Sequence, residues 1–155
     1  TEQWNWSVVI ASLPYVLGVT TVIFGKHIDK IKVDYAKKIY TLPVVIGEKA
    51  ARYTIIAMMV LPYIFTGYLI ATKFFTPIML IVLFALPALR ESLAPLSKPK
   101  PETRPEGFPD GQGGWPLYFA PIGFRNNRAF GSLFMLGLLL DVALRLIPAT
   151  QNFWR

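Results

Sequence analysis

The apolar residues of this chain gather into four long stretches. They cover residues 6–25, 53–72, 75–89 and 130–147. A helix needs about 20 apolar residues to cross the hydrocarbon core of a bilayer. The stretches show neither the polar stripe of a soluble helix nor the alternation of a membrane β-strand. The pattern therefore predicts an all-α fold: a polytopic membrane helix bundle of about four transmembrane helices, forming a single membrane domain over residues 1–155.

Most of the lysine and arginine lies in two hydrophilic loops, at about residues 26–52 and 90–128. If the four spans alternate in direction, both loops lie on the same side of the membrane. The positive-inside rule predicts that this side is the cytoplasm, with both chain ends outside. We therefore expect an integral protein of the inner, cytoplasmic membrane, with the lipid bilayer as a partner. The net charge of +7 follows from these flanking loops, and nucleic acid is excluded as a partner.

A cluster of ionisable residues follows directly on the first apolar stretch. It contains Lys26, His27, Asp29, Lys30 and Asp34. Ionisable groups at the edge of a bilayer are costly and usually functional. Divalent cations such as Mg²⁺ bridge carboxylates to phosphates, and lysines bind further phosphate oxygens. The cluster is therefore a candidate metal–diphosphate site, and the alternative is a solvated basic loop that meets anionic lipid headgroups.

The residues after this cluster form a recognisable motif. Asp34 is followed by Thr41-Leu-Pro-Val-Val-Ile-Gly47, and Phe24-Gly-Lys-His-Ile-Asp-Lys30 precedes it. Together they resemble the second aspartate-rich motif of the UbiA superfamily of intramembrane prenyltransferases. The Phe24–Lys30 segment is similar to the form found in one bacterial and archaeal branch of that superfamily. Two later segments are similar to the same branch: Trp115-Pro-Leu-Tyr-Phe119 and Asn126-Asn-Arg-Ala-Phe-Gly131. The resemblance implies the C-terminal part of a bundle of about nine transmembrane helices.

The resemblance also implies an activity. In this family an isoprenyl group passes from a prenyl diphosphate to a hydrophobic aromatic or tetrapyrrole acceptor in the membrane, with Mg²⁺ as the cofactor. Asp29 and Asp34 would be the catalytic metal ligands. Lys26 and Lys30 would contact phosphate, and His27 would bind substrate or simply pair with Asp34. Prenyl diphosphate and the acceptor would then be partners of the protein.

One departure from the family leaves two functions open. The first family motif, Asn-Asp-x-x-Asp-x-x-x-Asp, is missing, and no Asn-Asp pair occurs in the 155 residues. The chain also begins with Thr1, so we expect a processed or partial piece of a longer protein. We favour part of a UbiA-type prenyltransferase. The alternative is a non-catalytic UbiA-derived subunit of a larger membrane complex, such as a photosynthetic or respiratory assembly, with other membrane subunits as partners.

The spacing of the two aspartates raises a geometric question. On a regular helix Asp29 and Asp34 would point roughly 140° apart, whereas His27, Lys30 and Asp34 would share a face. Either the helix breaks near Asp29 and lets both carboxylates converge, or Asp34 alone ligates the metal. Both explanations stay open, and we favour convergence.

Two further expectations concern the second half of the chain. Residues 115–124 contain two prolines, which we expect to break a helix and leave the segment at the interface or folded over the charged face. Asp141 and Arg145 stand four residues apart in the last span, which predicts an ion pair on one helix face.

Overall fold

The computed structural model describes residues 5–111 and 113–147, and these residues form helices joined by turns, with no β-strand among them. The helices are α1 (Trp6–Asp29), α2 (Ile31–Ala36), α3 (Leu42–Ala71), a 3₁₀ segment (Pro77–Ala85) that continues into α4 (Leu86–Ser97), and α5 (Phe119–Leu146). Four segments are long and apolar enough to cross a membrane: Trp6–Asp29, Leu42–Ala71, Pro77–Ser97 and Phe119–Leu146. The predicted all-α membrane bundle is confirmed.

The helices extend beyond the apolar stretches into the polar loops. Helix α3 begins at Leu42 and α5 begins at Phe119, each more than two turns before the corresponding stretch. Pro121 lies in the first turn of α5, where a missing N–H costs no intrahelical hydrogen bond. The expectation that this proline breaks a helix was therefore wrong, and the segment from Phe119 onward belongs to the last span.

The Thr41–Gly47 motif forms the entry to α3. Pro43 lies in its first turn, and Gly47 interrupts the helix with φ +80° and ψ 160°. A residue with a Cβ rarely adopts this conformation, although the space beside Gly47 is open. Backbone geometry rather than packing therefore explains the glycine that closes the motif.

Two glycines let α1 and α5 cross closely. A Cβ atom added at Gly25 would lie 2.8 Å from the backbone of Phe119, and one added at Gly123 would lie 2.9 Å from the carbonyl oxygen of Thr21. Small residues allow this backbone approach in membrane bundles, where van der Waals packing drives helix association. Helix α1 also packs along α3, so it is the central helix of the described bundle.

The buried side chains form two apolar clusters. The first cluster joins the C-terminal half of α1, the middle of α3 and the start of α5, and it includes Phe24, Ile28, Ile55, Met59 and Phe119. The second cluster joins the end of α3, the 3₁₀ segment and the middle of α5, and it includes Leu69, Met79, Val82, Phe130 and Phe134. The bundle therefore has one packed layer near each end.

Asp141 joins α5 to the start of the 3₁₀ segment. Its Oδ1 atom accepts a hydrogen bond from the Thr76 amide at 2.6 Å, and its Oδ2 atom accepts one from Arg145 Nε at 2.9 Å. Arg145 also donates to the carbonyl oxygen of Phe74 at 2.6 Å. The predicted Asp141–Arg145 pair is confirmed. The pair lies at the end of the bundle where α3 and α5 end. The opposite end, where α1 and α4 end and where α3 and α5 begin, is called the loop end.

We expect Gly25→Ala to destabilise the protein, because the new methyl group meets the backbone of Phe119, which cannot move aside as a side chain can. Overpacking of this kind costs about 1–3 kcal/mol. Gly67→Ala in α3 is the matched control, since nothing lies within 4 Å of its added Cβ. The melting temperatures of both variants in detergent test the prediction; equal melting temperatures would contradict it.

Candidate functional site

The charged cluster spans a break between two helices. Helix α1 ends at Asp29, α2 begins at Ile31, and Lys30 between them has φ −107° and ψ 6°. The favoured explanation for the spacing of the aspartates was a break near Asp29 that lets both carboxylates converge. The structure shows this break, and it gives Asp29 and Asp34 different partners.

Asp29 caps the first turn of α5. Its carboxylate accepts hydrogen bonds from the amides of Tyr118 at 2.9 Å, Phe119 at 3.0 Å and Ala120 at 3.1 Å. These amides begin a helix and have no intrahelical acceptor, and a negative charge there also complements the helix dipole. The Asp29 side chain is fully buried, with 0% of its surface exposed. Asp29 therefore fixes the end of α1 against the start of α5.

Lys100 brings the proline-rich segment back to the same point. Its Nζ atom lies 3.6 Å from Asp29 Oδ1, donates to the carbonyl oxygen of Pro116, and lies 5.2 Å from the centre of the Trp115 ring. The Lys100 amide also donates to Glu48 Oε1 at 3.4 Å. Lys100 therefore connects the segment after α4 to α1, to α3 and to the residues just before α5.

Asp34 pairs with His27. Their atoms Oδ2 and Nδ1 lie 3.6 Å apart. The Asp34 side chain is largely buried, with 11% of its surface exposed, while that of His27 is 39% exposed. The backbone amides of the α5 helix engage Asp29 and not Asp34, so the Asp34 carboxylate keeps oxygen lone pairs for another ligand. The pairing considered for His27 is thus present.

A buried arginine lies on α3 at the loop end. Arg52 Nη1 donates to the carbonyl oxygen of Leu96 at 3.3 Å, and its Nε lies 3.4 Å from Glu48 Oε1. These contacts tie the end of α4 to the start of α3. Arg52 was predicted only as the last charge of the first hydrophilic loop, although its four-residue spacing from Glu48 is a signal for a helical pair.

A cavity of about 960 Å³ opens beside the charged cluster. Its walls come from α1, the end of α4, the segment before α5 and the first two turns of α5, and they are mostly apolar. Lys26 lines this cavity, as does Arg125, which the sequence analysis did not select. Tyr118 is also on its wall, and burial raises the pKa of the Tyr118 hydroxyl. Lys30 is exposed at the helix break and does not line the cavity.

The acidic side chains fit Mg²⁺ to different degrees. The Asp29 carboxylate is occupied by three backbone amides and by Lys100. Asp34 offers carboxylate oxygens, which are the ligand type that Mg²⁺ takes. Within residues 5–111 and 113–147, no group of three or more His, Asp or Glu side chains could hold a metal ion together. One carboxylate is nevertheless enough for an ion that keeps several waters and shares its remaining positions with substrate phosphates.

Most of the chain matches a known protein family. The model of the UbiA prenyltransferase family matches residues 1–105. The chain belongs to this family. The match includes the break between α1 and α2 and the entry to α3, and α5 lies beyond it. A search of curated proteins and a search of solved structures gave no match.

In this UbiA-family chain, we expect Asp29→Asn to destabilise the bundle. The variant keeps the shape of the side chain but removes the charge that the α5 amides and Lys100 engage. Hydrogen bonds to charged groups contribute about 1.5–3 kcal/mol each, so the melting temperature in detergent should fall clearly.

Asp110→Asn is the matched control. Asp110 is also paired, with Arg104 at 2.7 Å, but its side chain is 65% exposed. Exposed ion pairs contribute little to stability. If both asparagine variants melted at the same temperature as the unaltered protein, Asp29 would not be a cap that the fold depends on.

Proposed function

We propose that this chain is part of a Mg²⁺-dependent UbiA-type prenyltransferase, which transfers an isoprenyl group from a prenyl diphosphate to an aromatic or tetrapyrrole acceptor within the membrane. Family membership supports the reaction class. The observation that carries the proposal is the Asp34 carboxylate, which is largely buried and free of the α5 backbone amides, and which lies on α2, one helix break after the α1 residue Lys26 that lines the apolar cavity. We place the loop end on the cytoplasmic side of the inner membrane, because the basic residues concentrate there.

Asp34 would hold the magnesium ion. When bound, such an ion neutralises the charge that develops on a departing diphosphate. His27 is a positioning residue in this proposal, because its ring lies 3.6 Å from the carboxylate and limits the orientations that the carboxylate can adopt. That Asp29 also ligates the metal stays a prediction, and its carboxylate would have to leave the amides of α5 to do so.

The lysines of the cluster would bind phosphate oxygens. Lys26 lines the apolar cavity and Lys30 lies at the helix break, so the two cations flank His27 along the chain and both precede Asp34. Ammonium groups act as point charges toward phosphates and need no exact geometry. The diphosphate would therefore lie at the loop end, with its isoprenyl chain directed into the apolar part of the bundle.

The second candidate is a non-catalytic UbiA-derived subunit of a larger membrane complex. The role of Asp29 favours it, because one of the two predicted metal ligands instead joins α1 to α5. An aspartate kept for stability would persist in a protein that no longer transfers prenyl groups. The two candidates differ in what the loss of Asp34 does.

We expect Asp34→Asn to reduce prenyl transfer by the protein in its native membrane by a factor on the order of 10² to 10³, as is typical when a preorganised electrostatic contact to the reacting group is lost. Asparagine keeps the volume of the side chain, so the fold should remain. The assay follows transfer of a radiolabelled isoprenyl group to a quinone precursor or a haem, with and without Mg²⁺.

Asp110→Asn, at the exposed Arg104 pair, is the control for loss of a carboxylate at the loop end. Full transfer by Asp34→Asn would remove Asp34 from the mechanism. Absence of transfer by the unaltered protein with every acceptor, together with co-purification of other membrane subunits, would favour the second candidate.

A further inference from the structure

We infer that Arg125 is a second phosphate-binding residue, which acts with Lys26 at the apolar cavity, and that Glu91 occupies its guanidinium until an isoprenyl diphosphate displaces this carboxylate. The inference rests on the proposed function for the identity of the ligand. It adds a residue from α5, a helix that lies outside the family match.

The cavity has the shape and lining of a site for an amphiphile. Its volume of about 960 Å³ lies within the range of small-molecule sites. Its wall is formed largely by carbon-rich side chains from α1, from the segment before α5 and from α5, among them Val22, Ile23, Phe108, Leu117, Ile122 and Phe124. Ile23 and Phe124 are 58% and 55% exposed, so the cavity also opens at the side of the described helices. A long apolar chain can extend through that opening.

The charges on the wall set the orientation of the ligand. Lys26 on α1 and Arg125 on α5 are cations, and Glu106 on the segment before α5 is a carboxylate. Phosphate is attracted to the two helices and repelled from the segment. Lys26 lies in the last turn of α1, and Arg125 lies in the second turn of α5, so both reach the loop end. The guanidinium can bind two phosphate oxygens at once, which the ammonium group cannot.

Glu91 on α4 is the present partner of Arg125. Its Oε2 atom lies 3.2 Å from Arg125 Nη1, and both side chains are more than half exposed. Exposed pairs of this kind are weak. A phosphate with more than one negative charge can therefore replace Glu91 at small cost, whereas in the absence of ligand the pair holds the Arg125 guanidinium against α4.

The test is equilibrium binding of radiolabelled farnesyl diphosphate, without acceptor, to the protein in phosphatidylcholine nanodiscs. Arg125→Gln should weaken binding about tenfold to a hundredfold, the effect of losing a hydrogen bond between charged groups. Glu91→Gln should strengthen binding, because it removes the competing carboxylate. Arg128→Gln is the matched control, since Arg128 is an exposed arginine of the same helix that does not line the cavity.

Three results would overturn the inference. The first is that Arg125→Gln binds farnesyl diphosphate as tightly as the unaltered protein, and the second is that Arg128→Gln loses as much affinity as Arg125→Gln. The third is that phosphatidylglycerol in the nanodisc displaces farnesyl diphosphate only when Arg125 is present, which would assign the site to a phospholipid. Failure of the proposed function has a different signature. In that case farnesyl diphosphate binding would still depend on Arg125, while no transfer would occur with either Asp34 or Asn at position 34.

Discussion

The loop end of this protein depends on one buried carboxylate. Asp29 at the end of α1 accepts the hydrogen bonds that the first turn of α5 cannot make internally. In a membrane protein the N-terminal amides of a helix are costly to leave without acceptors when water is excluded, and an aspartate supplies both acceptors and charge. Because the same carboxylate also faces Lys100, the position of the proline-rich segment is set together with the crossing of α1 and α5. The cavity wall formed by that segment follows from this arrangement.

Two acidic residues five positions apart thus have separate tasks. The break at Lys30 directs Asp29 toward α5 and leaves Asp34 beside His27 on the short α2. The first contact set is rigid and saturated, which suits a structural role. The second is a single 3.6 Å contact with a partly exposed histidine, which suits a group that exchanges partners when a ligand binds.

Much of the fold could be predicted because a bilayer permits few kinds of secondary structure in a spanning segment. Apolar stretches of sufficient length must be helical when lipid surrounds them, and this gave four spans. The Asp141–Arg145 pair was predictable for the same local reason, since four residues bring side chains together on one helix. The ends of the helices were less predictable. Helix α5 begins well before its apolar stretch because Asp29, distant in sequence, caps it, and Pro121 falls where proline is tolerated.

The sequence by itself determined the class of protein and the family, because hydropathy and the Thr41–Gly47 motif are local properties of the chain. Only the tertiary structure decided which carboxylate is committed to the backbone, that Lys100 and Arg52 tie the loop end together, and that Arg125 lines the same cavity as Lys26. These contacts join residues far apart along the chain. No spacing rule encodes them, since they arise from the way in which α1, α4 and α5 pack against one another.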